Sequence, residues 1–226
     1  MKTIVCKRKN QWELEKKRLS VTFDDGEEIC VVFADDGITE YDMRQAEDGI
    51  WTVTYAGGQG LTCLLADANK RTVTGSYVTE GKLKVCQGMF MFVNEDGSED
   101  KTPFTNKEKA VDFWLRYFNE HDESAIEQYL SAPYVQHNPH VADGVEAFYN
   151  EFHNRFTGDM KNSRTEVKRV AAGNDIVYIH NLLKRSPEVK GHAAVDIFRF
   201  ENGRIVEHWD VIQTMPEHSE NDHPIF

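Results

Sequence analysis

The spacing of turn-forming residues changes near residue 100, and this change constrains the fold more than any other feature of the sequence. Before that point, turn signals recur about every ten residues, at Asp24-Asp25-Gly26, Asp35-Asp36-Gly37, Glu47-Asp48-Gly49 and Ala56-Gly57-Gly58. Between them lie short runs of β-branched and aromatic residues, at 29–34, 50–55, 61–66, 72–79 and 84–93. Strands at this spacing predict an all-β antiparallel meander that closes into a barrel or packs as a sandwich.

After residue 105 the apolar residues recur at helical spacing instead. Thr105 and Glu108 form a capping-box pattern, which predicts the start of a helix. Apolar periodicity predicts helices that reach about residue 118 and then span 123–130 and 144–156. Four strands are predicted at 163–171, 175–184, 191–200 and 204–214. Helices followed by strands indicate an α+β domain, a curved antiparallel sheet with three helices on one side.

The polar stretch Asn94–Asn106 (NEDGSEDKTPFTN) separates these two patterns and is rich in turn formers. We therefore predict two domains, a β-rich barrel over residues 1–95 and an α+β domain over residues 105–226. Histidine supports the division, because all nine histidines follow residue 120.

Charge and composition argue against several classes of partner. The formal net charge is −12, whereas binding to nucleic acid requires clustered lysine and arginine. The sequence contains no apolar run long enough to cross a membrane, and its N-terminal apolar stretch is too short for a signal peptide. We expect a cytoplasmic protein that binds neither nucleic acid nor membranes, with packing roles for Cys6, Cys30, Cys63 and Cys86.

A metal or nucleotide cofactor is not expected either. His137 and His140 have HxxH spacing, but Pro139 disfavours the helix that would place both rings on one face. No third ligand stands at a diagnostic distance, and the N-terminal cysteines have no histidine near them. Glycine-rich phosphate loops and serine nucleophile elbows are also missing from the sequence.

The predicted terminal hairpin can pair in two registers. A two-residue turn at Asn202-Gly203 would pair Asp196 with Trp209, so that Asp196 and Asp210 face opposite ways. A three-residue loop would instead pair Asp196 with His208. Asp196, His208 and Asp210 would then share one face with Phe198 and Val206.

We favour the three-residue loop, because it also separates the apolar residues from the ionisable ones. The opposite surface would hold Val195, Ile197, Ile205, Trp209 and Val211, which suits a core or homodimer contact. On the ionisable face, burial and like charge both raise the pKa of a carboxyl group. Such a carboxylate can remove a proton from a carbon next to a carbonyl.

The segments YVQHNPHVADG and DIFRFENGRIVEHWDVIQ, in this order of helices and strands, resemble the SnoaL-like polyketide cyclases of the NTF2-like superfamily. The resemblance covers residues 106–226. It implies a sheet curved around a deep pocket, dimerisation through the outer face of the sheet, and an aspartate base on the last strand. By position the base is Asp210, and His137 and Asn138 are its loop partners. The strand rhythm of the N-terminal half resembles calycin-type barrels, including MoaF-like domains.

The combined interpretation is a cofactor-free acid–base enzyme that acts on an apolar carbonyl compound, by aldol-type cyclisation or by isomerisation. Asp210 would be the base, while His137 and Asn138 would donate hydrogen bonds to the oxyanion. The substrate-binding residues are predicted to be Trp114, Tyr134, His180, Asp196, Phe198 and His208. Asp196 and His180 also have structural readings, as a paired carboxylate and a core histidine. The alternative function is a non-catalytic module for small-molecule binding or dimerisation.

Overall fold

The computed structural model describes residues 2–8, 18–33, 39–57, 60–79, 81–223 and 225–226. By its internal contacts, the chain divides into two compact units, Met1–Thr102 and Pro103–Phe226. The first residues of the predicted linker extend the N-terminal unit, because the backbone N–H of Asn94 donates to the carbonyl of Ser98 over 2.8 Å. The division therefore falls at the C-terminal side of the predicted linker.

The described part of the N-terminal unit contains eight strands: β1 (Lys2–Arg8), β2 (Arg18–Phe23), β3 (Glu28–Phe33), β4 (Thr39–Glu47), β5 (Ile50–Gly57), β6 (Gly60–Asp67), β7 (Thr72–Thr79) and β8 (Lys82–Val93). They close into a barrel in the order β1-β3-β2-β8-β7-β6-β5-β4. The predicted all-β barrel is confirmed. One difference is that β1 pairs in parallel with both β3 and β4, so the barrel is not wholly antiparallel.

Alternation along β8 shows how the barrel is filled. Phe90 and Phe92 are buried, whereas Met89 and Met91 between them are exposed. Gly88 lies where β8 approaches β2, and a Cβ atom there would come within 2.6 Å of the Thr22 carbonyl oxygen. Among the cysteines, Cys30 is buried, and all three with described side chains are free thiols, Cys30, Cys63 and Cys86. The side chain of Cys6 lies outside the described residues.

The C-terminal unit contains α1 (Asn106–Leu115), a π-helical turn (Arg116–Glu120), α2 (Ser124–Tyr129), β9 (Leu130–Gln136), α3 (Val145–Thr157), β10 (Arg164–Gly173), β11 (Ile176–Lys184), β12 (His192–Glu201) and β13 (Arg204–Thr214). Its five strands form one sheet in the order β10-β11-β12-β13-β9. The predicted α+β fold with three helices is confirmed. Strand β9 was not predicted, and it pairs in parallel with β13.

The first helix begins at the predicted capping box. The Glu108 backbone N–H donates to Thr105 Oγ1, and the Thr105 N–H donates to the Glu108 carboxylate over 3.1 Å. Behind this cap, aromatic side chains of α1 pack on the inner face of the sheet, for example Phe113 against Phe198 at 6.1 Å between ring centroids. An aromatic layer thus holds the helices over the sheet.

The β12–β13 hairpin has the two-residue turn, so the predicted three-residue loop is wrong. Asn202 and Gly203 have φ values of +52° and +73°, as a type I′ turn requires, and Phe200 pairs with Ile205. A bulge beyond that pair then adds one residue to β13, and Asp196 comes opposite Asp210.

Because of this bulge, Asp196, His208 and Asp210 lie on one face of the hairpin, as the incorrect three-residue loop had also predicted. The two-residue turn pairs Ile205 with the buried Phe200, so Ile205 is fully buried in the core and does not lie on the outer surface. On the outer surface, Val211 is 66% exposed. A homodimer through that face stays a prediction.

None of the helices in the described residues combines the length and apolarity needed to cross a membrane.

Candidate active site

A cavity of about 190 Å³ lies inside the C-terminal unit, between its helices and the inner face of the sheet. Its exposed walls are largely apolar and include three aromatic residues predicted to bind substrate, Trp114, Tyr134 and Phe198. All three are at most 3% exposed. Such an apolar lining favours an apolar ligand.

Three ionisable side chains meet at one end of this cavity. Potential ligand atoms of Asp196, His208 and Asp210 all lie within 4.8 Å of one another. Asp196 is 2% exposed and His208 is 5% exposed, while Asp210 is half-buried. These three residues were predicted to share one face of the terminal hairpin, and the structure brings them together.

Asp210 is held by the loop that follows β9. The side-chain amide of Asn138 donates to Asp210 Oδ2 over 2.5 Å. The orientation of that amide is fixed, because Asn138 Oδ1 accepts from the backbone N–H of His140 over 2.9 Å. The predicted pairing of Asn138 with Asp210 is therefore present, although the amide points at the carboxylate and not at a free oxyanion position.

Asp196 is held by a chain of polar groups that crosses the sheet. Asn181 Nδ2 donates to Asp196 Oδ2 over 2.6 Å, and Asn181 Oδ1 accepts from the hydroxyl of Thr165. Thr165 in turn accepts from the indole N–H of Trp114 over 3.0 Å. Burial raises the pKa of Asp196, although hydrogen bonds from His208 and Asn181 oppose the shift.

His208 joins Asp196 to Gln136. Its Nδ1 lies 2.9 Å from Gln136 Oε1, and its Nε2 lies 3.1 Å from Asp196 Oδ1. Gln136 Oε1 also accepts from the backbone N–H of Asn138, so this atom is an oxygen that can only accept. His208 Nδ1 must then carry a proton. The hydrogen bond between Nε2 and Asp196 then needs one further proton, carried by either the ring or the carboxyl group.

Tyr134 presents a neutral phenol to the same end of the cavity. Burial and the nearby charges of Asp196 and Asp210 raise its pKa, so the hydroxyl keeps its proton. Its oxygen accepts from Gln136 Nε2 over 3.5 Å. The Tyr134 O–H can therefore donate to a ligand in the cavity.

The structure does not bring His137 to the cavity. Its Nε2 lies 2.9 Å from Glu207 Oε1, and its ring stacks on Trp209 at 4.6 Å. Hydrogen bonds from His137 and Arg199 lower the pKa of Glu207. The reason is strand alternation at the end of β9: Gln136 points inward, so the next residue points outward.

His180 also lies away from the cavity. It follows Tyr178 on the outer face of β11, and its Nδ1 lies 3.3 Å from Arg169 Nη1. Its ring is 5.4 Å from that of Phe226. The predicted substrate-binding role of His180 therefore has no geometric support.

Two residues that complete the site were missed by the sequence analysis, Gln136 and Asn181. Asn181 is fully buried and alternates with the buried residues Val177 and Ile179. A polar residue in the apolar phase of a strand is the signal that could have identified it. Gln136 gave no such signal, because β9 itself was not predicted.

By distance alone, Asp196, His208 and Asp210 could hold a metal ion. However, both ring nitrogens of His208 already face hydrogen-bond partners, Gln136 and Asp196. A metal would have to displace the His208–Asp196 hydrogen bond, so the donor set fits proton chemistry better than metal binding.

Residues 108–218 match the family model described as SnoaL-like polyketide cyclase. The resemblance predicted for the C-terminal half is confirmed by this match, which does not reach the N-terminal barrel. None of the curated proteins compared with the chain matches it.

Solved structures with partial similarity include TsrD from Streptomyces laurentii, with 19% identity over 47% of this chain and 87% of that chain and a TM-score of 0.41. An NTF2-like protein of unknown function from Cytophaga hutchinsonii has 18% identity over 50% of this chain and 95% of that chain, with a TM-score of 0.42.

Proposed function

We propose that the C-terminal domain is an acid–base enzyme of the cyclase or isomerase type, in which Asp210 removes a proton from a carbon next to a carbonyl. The observation that carries this proposal is the placement of Asp210 at the cavity, opposite the buried Asp196 and held by the Asn138 amide. The family match supports the reaction class.

Asp210 suits the role of base better than Asp196 does. Both oxygens of Asp196 are engaged, by Asn181 and by His208. In the described part of the chain, the Oδ1 atom of Asp210 has no hydrogen-bond partner, so its lone pairs can accept a proton from a ligand. A positioned carboxylate of this kind contributes about 10²–10⁴-fold to a proton-transfer step.

Ion pairing does not occupy Asp210 either. A purely structural carboxylate could be locked in a salt bridge with an arginine such as Arg199 or Arg155. Arg199 donates to Glu207 over 2.6 Å, and Arg155 donates to Glu151 over 2.7 Å. This arrangement favours the enzyme over the binding-module alternative.

The oxyanion donor in this proposal is Tyr134. His137 lies outside the cavity and the Asn138 amide donates to Asp210, so neither matches the role predicted for it. The buried Tyr134 phenol keeps its proton and can donate it as a hydrogen bond to the developing enolate oxygen. A fixed donor in a water-poor site stabilises that charge more than water would.

The reaction is redox-neutral. The substrate C–H proton moves to Asp210, and the C–H electron pair forms the enolate, whose oxygen accepts from Tyr134. In isomerisation, the proton returns from Asp210 to a different carbon. In aldol closure, the enolate carbon bonds to a second carbonyl of the same molecule, and the new alkoxide takes up the proton.

Deuterium loss from the α-carbon of aryl methyl ketones, followed by NMR, tests this function. An enzyme should accelerate the loss above the buffer rate, and the acceleration should saturate with ketone concentration. A ketone that binds saturably but exchanges only at the buffer rate would support the binding-module alternative instead.

A further inference from the structure

The cavity has two ends of opposite charge. Asp196 and Asp210 lie at one end. His192 lies on the same face of β12 as Asp196, four residues away, which corresponds to about 13 Å along the strand. Four cationic residues also line the cavity, Arg155, Arg164, Lys184 and Arg185.

Strand pairing brings the backbones of most of these cavity-lining cationic residues close to His192. Arg164 pairs with Lys184 across β10 and β11, and the neighbouring Leu183 pairs with His192 across β11 and β12. Arg185 follows Lys184 directly. One end of the sheet therefore collects positive charge in a protein whose formal net charge is −12.

Neighbouring acids offset this charge only in part. Arg155 is paired with Glu151. The contact between Arg185 and Asp159 is 3.7 Å long, and both side chains are more than 60% exposed, so it contributes little. Arg164 donates to the Ser163 carbonyl, and within residues 103–223 Lys184 makes no ion pair. Positive charge is thus left available at this end.

His192 adds a second, independent observation. Its Nδ1 atom is buried, yet it has no hydrogen-bond partner among the described residues. Leaving a buried polar atom unpaired destabilises the folded chain, and a bound polar group would remove that penalty. The ring lies at the cavity wall, where a ligand could supply that group.

From these observations we infer that this end of the cavity binds a carboxylate, so that the substrate is an apolar carbonyl compound that also carries an acid group. This inference rests on the proposed function, which places the reacting carbonyl group beside Asp210. The carboxylates of Asp196 and Asp210 would repel the acid group of the substrate, and the cationic end would attract it. Charge alone then directs the carbonyl end towards Asp210.

Two probes of nearly equal shape test this site, 6-acetyl-2-naphthoate and the neutral 6-acetyl-2-naphthamide. Their affinities for the full-length chain are measured by fluorescence titration at low and high salt. The naphthoate should bind roughly 10-fold more tightly, because hydrogen bonds to a charged group are stronger. Salt should reduce that preference.

Charge-matched variants locate the effect. The double variant Lys184→Met, Arg185→Met should reduce the preference to about twofold or less, on the scale of two lost charged contacts. The control Lys168→Met, Arg169→Met removes the same charge from residues that do not line the cavity, and it should keep the preference. His192→Phe should weaken naphthoate binding.

Three results would overturn the inference: equal affinities of the two probes for the wild type, no saturable binding of the naphthoate, or a preference that survives in the Lys184→Met, Arg185→Met variant. These affinities do not depend on turnover. A naphthoate that binds with the expected preference but shows no deuterium loss would therefore count against the proposed reaction and leave the carboxylate site standing.

Discussion

Asp196 and Asp210 lie directly opposite each other on β12 and β13, and both line the same cavity. Like charges in opposed positions destabilise a sheet. The structure gives each carboxylate its own amide partner, Asn181 for Asp196 and Asn138 for Asp210. Burial raises the pKa of Asp196, while hydrogen bonds from His208 and Asn181 oppose that shift.

Replacing Asp210 with asparagine should leave the unfolding free energy of the C-terminal unit unchanged or raise it by up to about 1 kcal/mol. The substitution removes the repulsion from Asp196, and the new amide oxygen can still accept from Asn138. Denaturant unfolding at pH 7 measures the effect, with the exposed Asp175→Asn as control. A clear loss of stability would show that Asp210 has a structural role.

The stability contributed by Asp196 should depend on pH. Because its pKa is raised in the folded state, the folded chain binds more protons than the unfolded chain. The contribution is complete below the ordinary aspartate pKa of about 4 and is lost as pH rises through the folded value. The stability of wild type relative to Asp196→Asn should therefore fall with rising pH over this window. A difference that rises with pH would contradict the assignment.

Removal of the Tyr134 hydroxyl should slow α-deuterium loss more than it weakens ligand binding. Tyr134→Phe keeps the buried ring but deletes the proposed donor, so the exchange rate should drop by about 10²-fold. Tyr178→Phe is the matched control, since that residue is 45% exposed on the outer face of the sheet. Equal rates for Tyr134→Phe and Tyr178→Phe would remove Tyr134 from the reaction.

Limited trypsin digestion should cut first after Lys101. This residue is exposed and lies between the turn that extends β8 and the buried Phe104. Exposed polar connections are cleaved before packed strands. Mass spectrometry of the early fragments identifies the site, and early cleavage within β5–β8 would count against the two-domain division.

The terminal hairpin shows what the sequence could and could not predict. The shared face of Asp196, His208 and Asp210 was predicted correctly, although the predicted loop was wrong. A three-residue loop and a two-residue turn followed by a bulge each shift the pairing of β13 by one residue, so the same side chains of β13 face the cavity. The helix start at Thr105 was also predictable, since capping is a local interaction.

Long-range pairing explains what was missed. Strand β9 includes Pro133 and pairs in parallel with β13, far along the chain, so no local pattern marked it. Without that strand the outward direction of His137 could not be deduced. The partners Gln136 and Asn181 depend on cross-strand register, which a sequence alone leaves open.

The role of Asp210 as the base is tested by the rate of α-deuterium loss from 6-acetyl-2-naphthoate with wild type and with Asp210→Asn. If Asp210 is the base, the exchange rate should fall at least about 100-fold in the variant. Naphthoate affinity should change little, because the amide fills the same space. Asp196→Asn serves as the comparison, since it should destabilise the C-terminal unit but lower the exchange rate less than Asp210→Asn does. Equal exchange rates for wild type and Asp210→Asn would show that Asp210 is not the base.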